Sequence, residues 1–290
     1  MAIVLVTGTS KGIGFFTALE LGRAGHTVYA TMRHPQGAPQ LGELVAKETL
    51  PVKVRVMDVD SDSSVREAVT AIHAEGGHVD ALVNNAGIEK TGAVEELPLQ
   101  AFRAVMETNY FGALRCIQAV LPEMRERGSG CIVNISSVAG RIASSPMAPY
   151  TASKWALEAL SEALAQEVKP FNIRVAVVEP GIIDTAMARR IEVPIDGTRY
   201  RQTRRFAGLF QASFAANVSR EPELVARKIR EIIESGGWQL RHPVGSDAQP
   251  FLGWRRGMTD EQWVEWGALE DDSWYERVKN DFGLDARLKS

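Results

Sequence analysis

Seven short runs rich in β-forming residues, separated by helical stretches, constrain the fold of this chain more than any other feature. The runs cover residues 3–6, 27–31, 52–57, 81–84, 131–135, 174–178 and 238–240. Strands with so little alternation of apolar and polar residues are expected where helices cover both faces of a sheet, and right-handed crossovers then wind it in both directions. The sequence therefore predicts an α/β fold with a doubly wound, parallel seven-stranded sheet.

A glycine-rich turn follows the first apolar run. Gly8, Gly12 and Gly14 lie within it, and we expect a helix to begin after Gly14. A helix N-terminus presents unpaired N–H groups and the positive end of its dipole, so it favours a pyrophosphate. The spacing differs from the Gly-x-Gly-x-x-Gly dinucleotide fingerprint, although each glycine has the same physical role. We interpret the turn as a dinucleotide site, and a plain glycine turn is the alternative.

Tyr150 and Lys154 lie four residues apart on a predicted helix, so they share one of its faces. A free tyrosine titrates near pH ~10, and a neighbouring ammonium favours its phenolate form. The pair therefore predicts a tyrosine of lowered pKa that exchanges a proton with a carbonyl oxygen. Taken alone the pattern is weak, because a surface lysine beside a half-buried tyrosine is common.

Six motifs, in their order along the chain, resemble those of the short-chain dehydrogenase/reductase family. They are Thr7-Gly8-x-x-x-Gly12-x-Gly14, Asn84-Asn85-Ala86-Gly87, Asn109, Ser137, Tyr150-x-x-x-Lys154 and Pro180-Gly181-x-x-x-Thr185. The resemblance runs from about residue 3 to about residue 244. Within the family, the chain is similar to the hydroxysteroid and retinol dehydrogenase-like branch. It implies a single-domain Rossmann fold with strand order 3-2-1-4-5-6-7, which assembles as a homodimer or homotetramer.

The resemblance implies a catalytic tetrad of Asn109, Ser137, Tyr150 and Lys154. Tyr150 acts as general acid or base, and Ser137, with Ser136 as its competitor, donates to the substrate oxygen. Lys154 lowers the pKa of Tyr150 and binds the nicotinamide ribose. Asn109 holds a water that links Lys154 to solvent, although a helix kink is the alternative explanation for an asparagine in this place.

The glycine turn and the resemblance together place the cofactor contacts. They are Gly8, Ser10, Lys11, Gly12, Ile13, Gly14, Arg33, Asp58, Val59, Asn85, Ala86, Gly87, Tyr150, Lys154, Pro180, Gly181, Ile183 and Thr185. An NAD enzyme carries an acid at the end of the second strand, roughly 20 residues after the glycine motif. Residues 27–33 contain no acid, Arg33 stands at that end, and Lys11 lies in the turn. Two cations favour the 2'-phosphate of NADP, and NAD is the alternative.

Composition narrows the remaining classes of function. The formal net charge of −3 argues against nucleic-acid binding. The two cysteines and five histidines show no metal-ligand spacing, so we expect no metal. No run reaches ~18 apolar residues, and the first residues already form a strand, which predicts a cytoplasmic protein without a membrane partner. The acids Asp60 and Asp62 are interpreted as caps and solvated positions.

Two regions lie outside the motifs. Residues 186–220 are predicted to form a lid over the substrate, and its arginines fit either an anionic substrate or a solvated basic face. Residues 245–290 are predicted to be a helical extension packed on the catalytic domain of residues 1–244. The extension carries four tryptophans, and two capping boxes, which begin at Thr259 and Ser273, predict two short helices.

The leading hypothesis is an NADP(H)-dependent oxidoreductase that interconverts a carbonyl and an alcohol by hydride transfer. Its small-molecule substrate is expected to be a hydrophobic ketone, aldehyde or secondary alcohol. The alternatives are an NADP(H)-sensing regulatory protein without turnover and an NAD-dependent alcohol dehydrogenase of the same family. Epimerase and dehydratase relatives would show a Gly-x-x-Gly-x-x-Gly turn, and this chain has a different one. Substrate identity, direction and stereochemistry depend on the shape of the pocket rather than on the motifs.

Overall fold

A computed structural model describes residues 1–75, 77–189, 197–216, 218 and 220–288. Its strands are β1 (Ile3–Thr7), β2 (Thr27–Met32), β3 (Val52–Val56), β4 (Ala81–Asn84), β5 (Gly130–Ile135), β6 (Ile173–Pro180) and β7 (Arg241–Val244). All pair in parallel in one sheet of order β3-β2-β1-β4-β5-β6-β7, which confirms the predicted order. In the centre, Val4 lies between Val28 and Ala81.

The prediction of the seventh strand is wrong in position. Residues 238–240 precede the strand, and the Trp238 side chain is 46% exposed beneath the ammonium of Lys169. The real strand has the polar sequence Arg-His-Pro-Val, which gives no apolar signal. An edge strand has one neighbour, so it tolerates both polar residues and the missing N–H of Pro243.

Helices cover both faces of the sheet. They are α1 (Gly12–Arg23), α2 (Gln40–Glu48), α3 (Asp62–Ala74), α4 (Leu99–Met106), α5 (Gly112–Arg127), α6 (Ala148–Val168), α7 (Ala186–Arg189), α8 (Arg201–Ala215), α9 (Pro222–Ser235), α10 (Ala248–Arg256), α11 (Asp260–Ala268) and α12 (Asp271–Phe282). Neighbouring residues of a strand point to opposite faces. Accordingly, Val4 packs with α1, α2 and α9 on one face, while Leu5 packs with α3, α5 and α6 on the other.

The C-terminal extension holds three helices instead of the two predicted. The capping box at Thr259 is confirmed at the start of α11. The one at Ser273 is wrong, because α12 begins two residues earlier after Glu270. Trp274, Tyr275 and Val278 of α12 form a separate apolar cluster against Leu209 of α8, so the extension packs on the predicted lid region.

Part of the predicted lid, including Arg190, lies outside the described residues. Within the described residues, no helix is long and apolar enough to cross a membrane.

Candidate active site

A cavity of about 1120 Å³ opens at the carboxyl ends of the strands. A pocket for one small ligand usually holds about 300–1,000 Å³, so this cavity has room for a dinucleotide and a second molecule. Of the residues predicted to contact the cofactor, all but Gly14 line it, and so does Ser137. Asn109 lies behind the wall in a small adjoining space.

The glycine turn leaves the N-terminus of α1 open to the cavity. The helix begins at Gly12, within the predicted motif rather than after it. Gly8 and Gly12 have φ of +69° and +63°, a conformation that side chains rarely adopt. A Cβ on Gly12 would approach only Thr185, at 3.5 Å, so nothing but a threonine borders this backbone. These N–H groups suit a pyrophosphate.

Gly14 has a packing role instead of the predicted ligand contact. A Cβ at this position would lie 2.5 Å from the carbonyl oxygen of Gly8 and would also clash with the Asn85 amide. The Asn85 Nδ2 donates to the carbonyl oxygens of Thr7 and Gly8, at 2.9 and 3.0 Å. Asn85 therefore braces the turn, and Gly14 leaves space for that brace.

The end of the cavity beside the glycine turn carries both signs of charge. Lys11 and Arg33 line it as predicted for a 2'-phosphate, and Asp60 lines it as well. The interpretation of Asp60 as a solvated cap is wrong, because it is half-buried and accepts a hydrogen bond from Thr108 Oγ1 at 3.0 Å. Burial raises the pKa of Asp60, and the charge of Arg33 opposes that rise.

Tyr150, near the start of α6, faces Ser137 at the end of β5. Burial raises the pKa of Tyr150 to about 12, and the neighbouring Ser137 hydroxyl works in the opposite direction. The Ser137 Oγ accepts from the N–H of Ala139 at 3.1 Å and donates to the carbonyl oxygen of Pro180 at 3.4 Å. Ser136 also borders the cavity, with its Oγ buried and unpartnered among the described residues. Ser137 and Tyr150 are thus neighbours in the cavity wall.

The expectation that Lys154 lowers the pKa of Tyr150 is wrong, because burial raises that pKa. The Lys154 Nζ lies 5.5 Å from the centre of the tyrosine ring and donates to the carbonyl oxygen of Ile135 at 2.8 Å. Burial lowers the pKa of Lys154 itself to about 8, although Glu158 one turn later opposes this. Burial thus disfavours the charged form of each residue and outweighs the expected effect of the lysine on the tyrosine.

Asn109 lies in a π-helical turn, Glu107–Phe111, between α4 and α5. Its Oδ1 accepts from the N–H of Ile88 at 2.8 Å, while its Nδ2 donates to the Ile88 carbonyl and to Ser153 Oγ, both at 2.9 Å. Such turns are frequent at functional sites. The helix is irregular at Asn109, which matches the alternative explanation, a helix kink. The Asn109 side chain is bonded to protein partners, so it is not free to hold a water.

The opposite end of the cavity is apolar and aromatic. Helix α8 contributes Phe206, Leu209 and Phe210, and the extension contributes Phe251 and four tryptophans, Trp254, Trp263, Trp266 and Trp274. The ring of Trp254 packs edge-on against that of Trp266 at 5.0 Å. The sequence did not predict this wall, because its members come from helices that are distant along the chain.

The lid arginines favour the solvated basic face over an anion site. Arg199, Arg201 and Arg204 are exposed, and Arg189 is paired with Asp184. Arg205 is the one described lid arginine that lines the cavity. Its guanidinium is 2% exposed and donates to Asp271 at 2.7 Å and to two carbonyl oxygens, so it joins α8 to the extension.

Glu89 follows β4 in the cavity wall and was not singled out in the sequence. Burial raises its pKa to about 7, and the charge of Lys90 opposes the rise. Its Oε1 accepts a hydrogen bond from Thr91. Its place directly after the Asn85-Ala86-Gly87 motif was a usable signal, since residues at the carboxyl ends of strands border the ligand crevice.

We expect Glu89→Gln to make folding less sensitive to pH. An unfolded glutamate titrates near pH ~4.3, whereas the folded pKa is about 7, so the wild type loses stability as pH rises through this window. The variant has no such loss. Its stability relative to wild type should therefore increase by about 1–2 kcal/mol from pH 5 to pH 8, after allowance for water in the cavity. Urea unfolding at both pH values, with the exposed Glu126→Gln as control, tests this. Parallel changes in Glu89→Gln and wild type would contradict it.

Comparison with known proteins supports a single family. Residues 2–194 match the family model described as short chain dehydrogenase. Retinol dehydrogenase 8 from Bos taurus is 36% identical over 262 residues, which cover 86% of this chain and 83% of that protein. A short-chain dehydrogenase from Streptomyces avermitilis superposes with a TM-score of 0.78 at 33% identity, over 97% of this chain and 98% of that one. Actinorhodin polyketide ketoreductase, solved with NADPH, has a TM-score of 0.75 at 31% identity, over 85% of this chain and 97% of that one.

Proposed function

Because this chain belongs to the short-chain dehydrogenase family, we propose that it interconverts a carbonyl and an alcohol with NADP(H), with Tyr150 as proton donor and acceptor. Its relatives support an oxidoreductase that acts on CH–OH groups with NAD(P). The observation that carries the proposal is the neighbouring pair Ser137 and Tyr150, which shares a cavity with the open N-terminus of α1.

The residues present fit a nicotinamide dinucleotide. The backbone of Gly12 and Ile13 would hold the pyrophosphate, while residues 180–185 would border the nicotinamide. Lys154 would bind the adjoining ribose through its three donors. When bound, the nicotinamide supplies or accepts the hydride.

Tyr150 and Ser137 would then act on the substrate oxygen. At neutral pH the Tyr150 phenol carries its proton, because its pKa is raised to about 12. It can donate that proton to a carbonyl oxygen while Ser137 donates a second hydrogen bond to the same atom. In the reverse direction Tyr150 must first lose its proton. Asn109 would help to position Tyr150. It donates to Ser153 Oγ, and Ser153 donates to the carbonyl oxygen of Tyr150 at 2.7 Å.

Arg33 and Lys11 support NADP over NAD. Both cations line the end of the cavity beside the glycine turn, and a related ketoreductase was solved with NADPH. We expect Arg33→Ala to weaken NADPH binding about 10- to 100-fold, the range expected on losing a charge-assisted hydrogen bond. NADH binding should change little.

Fluorescence titration of both nucleotides tests this prediction. Arg55→Ala is the matched control, because Arg55 lies on the neighbouring strand β3 and pairs with Glu75 outside the cavity. Equal losses for NADPH and NADH in Arg33→Ala would remove the basis for the choice of cofactor.

The aromatic wall supports a hydrophobic ketone, aldehyde or secondary alcohol as substrate. We would measure consumption of NADPH and NADH over a panel of steroid, retinoid, aliphatic and quinone carbonyls, with Tyr150→Phe as the blank. Turnover that needs Tyr150 would support an enzyme. Nucleotide binding without any turnover would favour the alternative, a protein that senses NADP(H).

A homodimer or homotetramer is proposed from the family resemblance. Trp155 on α6 is 49% exposed, and Phe111, just before α5, is 42% exposed. A subunit contact at these side chains would remove their rings from water, which favours association. Light scattering at micromolar concentration tests the mass.

A further inference from the structure

Glu89 lines the same cavity as Tyr150. Its charge adds to the rise in the pKa of Tyr150, of which burial is the main cause. The neighbouring wall from α8 and the extension is apolar. A carboxylate in such surroundings is costly unless it has a partner.

The position of Glu89 relative to Tyr150 is set by a continuous chain of hydrogen bonds. Asn109 holds both the N–H and the carbonyl of Ile88, the residue before Glu89. The same side chain donates to Ser153, which donates to the carbonyl oxygen of Tyr150. The backbone next to Glu89 is therefore held by the same framework as the backbone of Tyr150, as a specific recognition group would need.

The carboxyl group has capacity left for a ligand. Its Oε1 accepts from Thr91, and among the described residues Oε2 has no hydrogen-bond partner and Glu89 has no ion pair. Among the described residues, the cations nearest this region form no ion pair with Glu89. Lys154 donates to Ile135 and Arg205 is paired with Asp271, while Lys90 is exposed and acts on Glu89 only through its charge.

We propose that Glu89 is the subsite for a hydrogen-bond donor, an amino or hydroxyl group, that the substrate carries next to its carbonyl. The inference rests on the proposed function, because Tyr150 meets the carbonyl oxygen and Glu89 meets the neighbouring substituent. The apolar remainder of such a substrate would lie against the aromatic wall. Burial makes the charged form of Glu89 costly, and a hydrogen-bond donor bound to the carboxyl group would offset that cost.

Binding of three alcohols that share a carbon chain tests the subsite without turnover. Isothermal titration with NADPH present, which has no hydride to accept from an alcohol, would compare 1-amino-2-decanol, 1,2-decanediol and 2-decanol. For wild type we expect the amino alcohol to bind at least about tenfold more tightly than 2-decanol, the effect of a hydrogen bond to a charged group. The diol should fall between them.

Two variants separate charge from hydrogen bonding. Glu89→Gln keeps an acceptor oxygen, so it should reduce the advantage of the amino alcohol and leave part of that of the diol. Glu89→Leu should remove both advantages, while Glu126→Gln, an exposed acid elsewhere, should keep them.

Equal affinities of the three alcohols for wild type, or an advantage that survives in Glu89→Leu, would overturn the assignment. If the proposed function fails, wild type reduces no carbonyl in the panel, whereas the affinity comparison still gives its own answer. The two failures are therefore distinguishable.

Discussion

Replacing Tyr150 with phenylalanine is expected to lower kcat for carbonyl reduction by about 10²–10⁴-fold, the usual contribution of a general acid. The variant loses the hydroxyl next to Ser137 and leaves the ring in place. Lys154 keeps its bond to Ile135, and the glycine turn is untouched, so NADPH affinity should stay within about twofold of wild type. Steady-state rates and nucleotide titration measure the two effects separately.

The proposed role of Tyr150 also predicts how the rates of reduction and oxidation depend on pH. Because burial holds the Tyr150 pKa at about 12, the phenol is protonated through the neutral range. Reduction needs the protonated form and should vary little there, whereas oxidation needs the phenolate and should rise with pH. Tyr110→Phe, at a tyrosine outside the cavity, is the matched control. Wild-type rates in Tyr150→Phe would refute the proposed mechanism.

Adding one methyl group at Gly14 is expected to disable the nucleotide site and to destabilise the fold. The new Cβ would lie 2.5 Å from the Gly8 carbonyl oxygen and would displace the Asn85 amide that braces the turn. Overpacking of this kind typically costs about 1–3 kcal/mol, and here the obstacle is backbone, which yields less than a side chain. We expect Gly14→Ala to lose about 3 kcal/mol of stability and at least about tenfold in NADPH affinity.

The chain offers matched controls for this substitution. Gly42 in α2 and Gly253 in α10 are also helical glycines, and a Cβ at either position meets nothing within 4 Å. Because alanine is favoured over glycine in a helix by up to about 1 kcal/mol, both alanine variants should be neutral or stabilised. Urea unfolding and nucleotide titration compare the three. A Gly14→Ala variant that behaves like the controls would show that the turn has room to relax.

Local patterns were sufficient for most of the sheet. Six of the seven strands were predicted, five of them because strands buried on both faces are almost entirely apolar. The sixth, β3, has Lys53 and Arg55 between valines and lies at the other edge of the sheet. The seventh was misplaced because β7 is an edge strand with polar residues, while the apolar Trp238 before it is half exposed. Residues 273–276 match the sequence pattern of a capping box but do not cap a helix. Helix α12 already begins at Asp271, so Ser273 lies inside it.

In the candidate site, local motifs predicted the place of some residues but not of others. Lys11, Arg33 and Ser137 border the cavity as expected from their motifs, because each motif follows a strand and parallel strands end at one edge of the sheet. Gly14 and Asn109 fall outside the wall. Their motifs mark them as special positions, but only their neighbours show whether they meet a ligand or another part of the chain.

The sequence by itself determined the parallel sheet, the glycine turn at its first strand and the order in which the site residues follow the strands. These depend on local propensity and on periodicity, which are written within a few residues. Tertiary structure alone decided the raised pKa values of Tyr150 and Glu89, the aromatic wall and the commitment of Asn109 to Ile88. Desolvation and packing depend on every group that surrounds an atom, and here those groups come from segments that lie far apart along the chain.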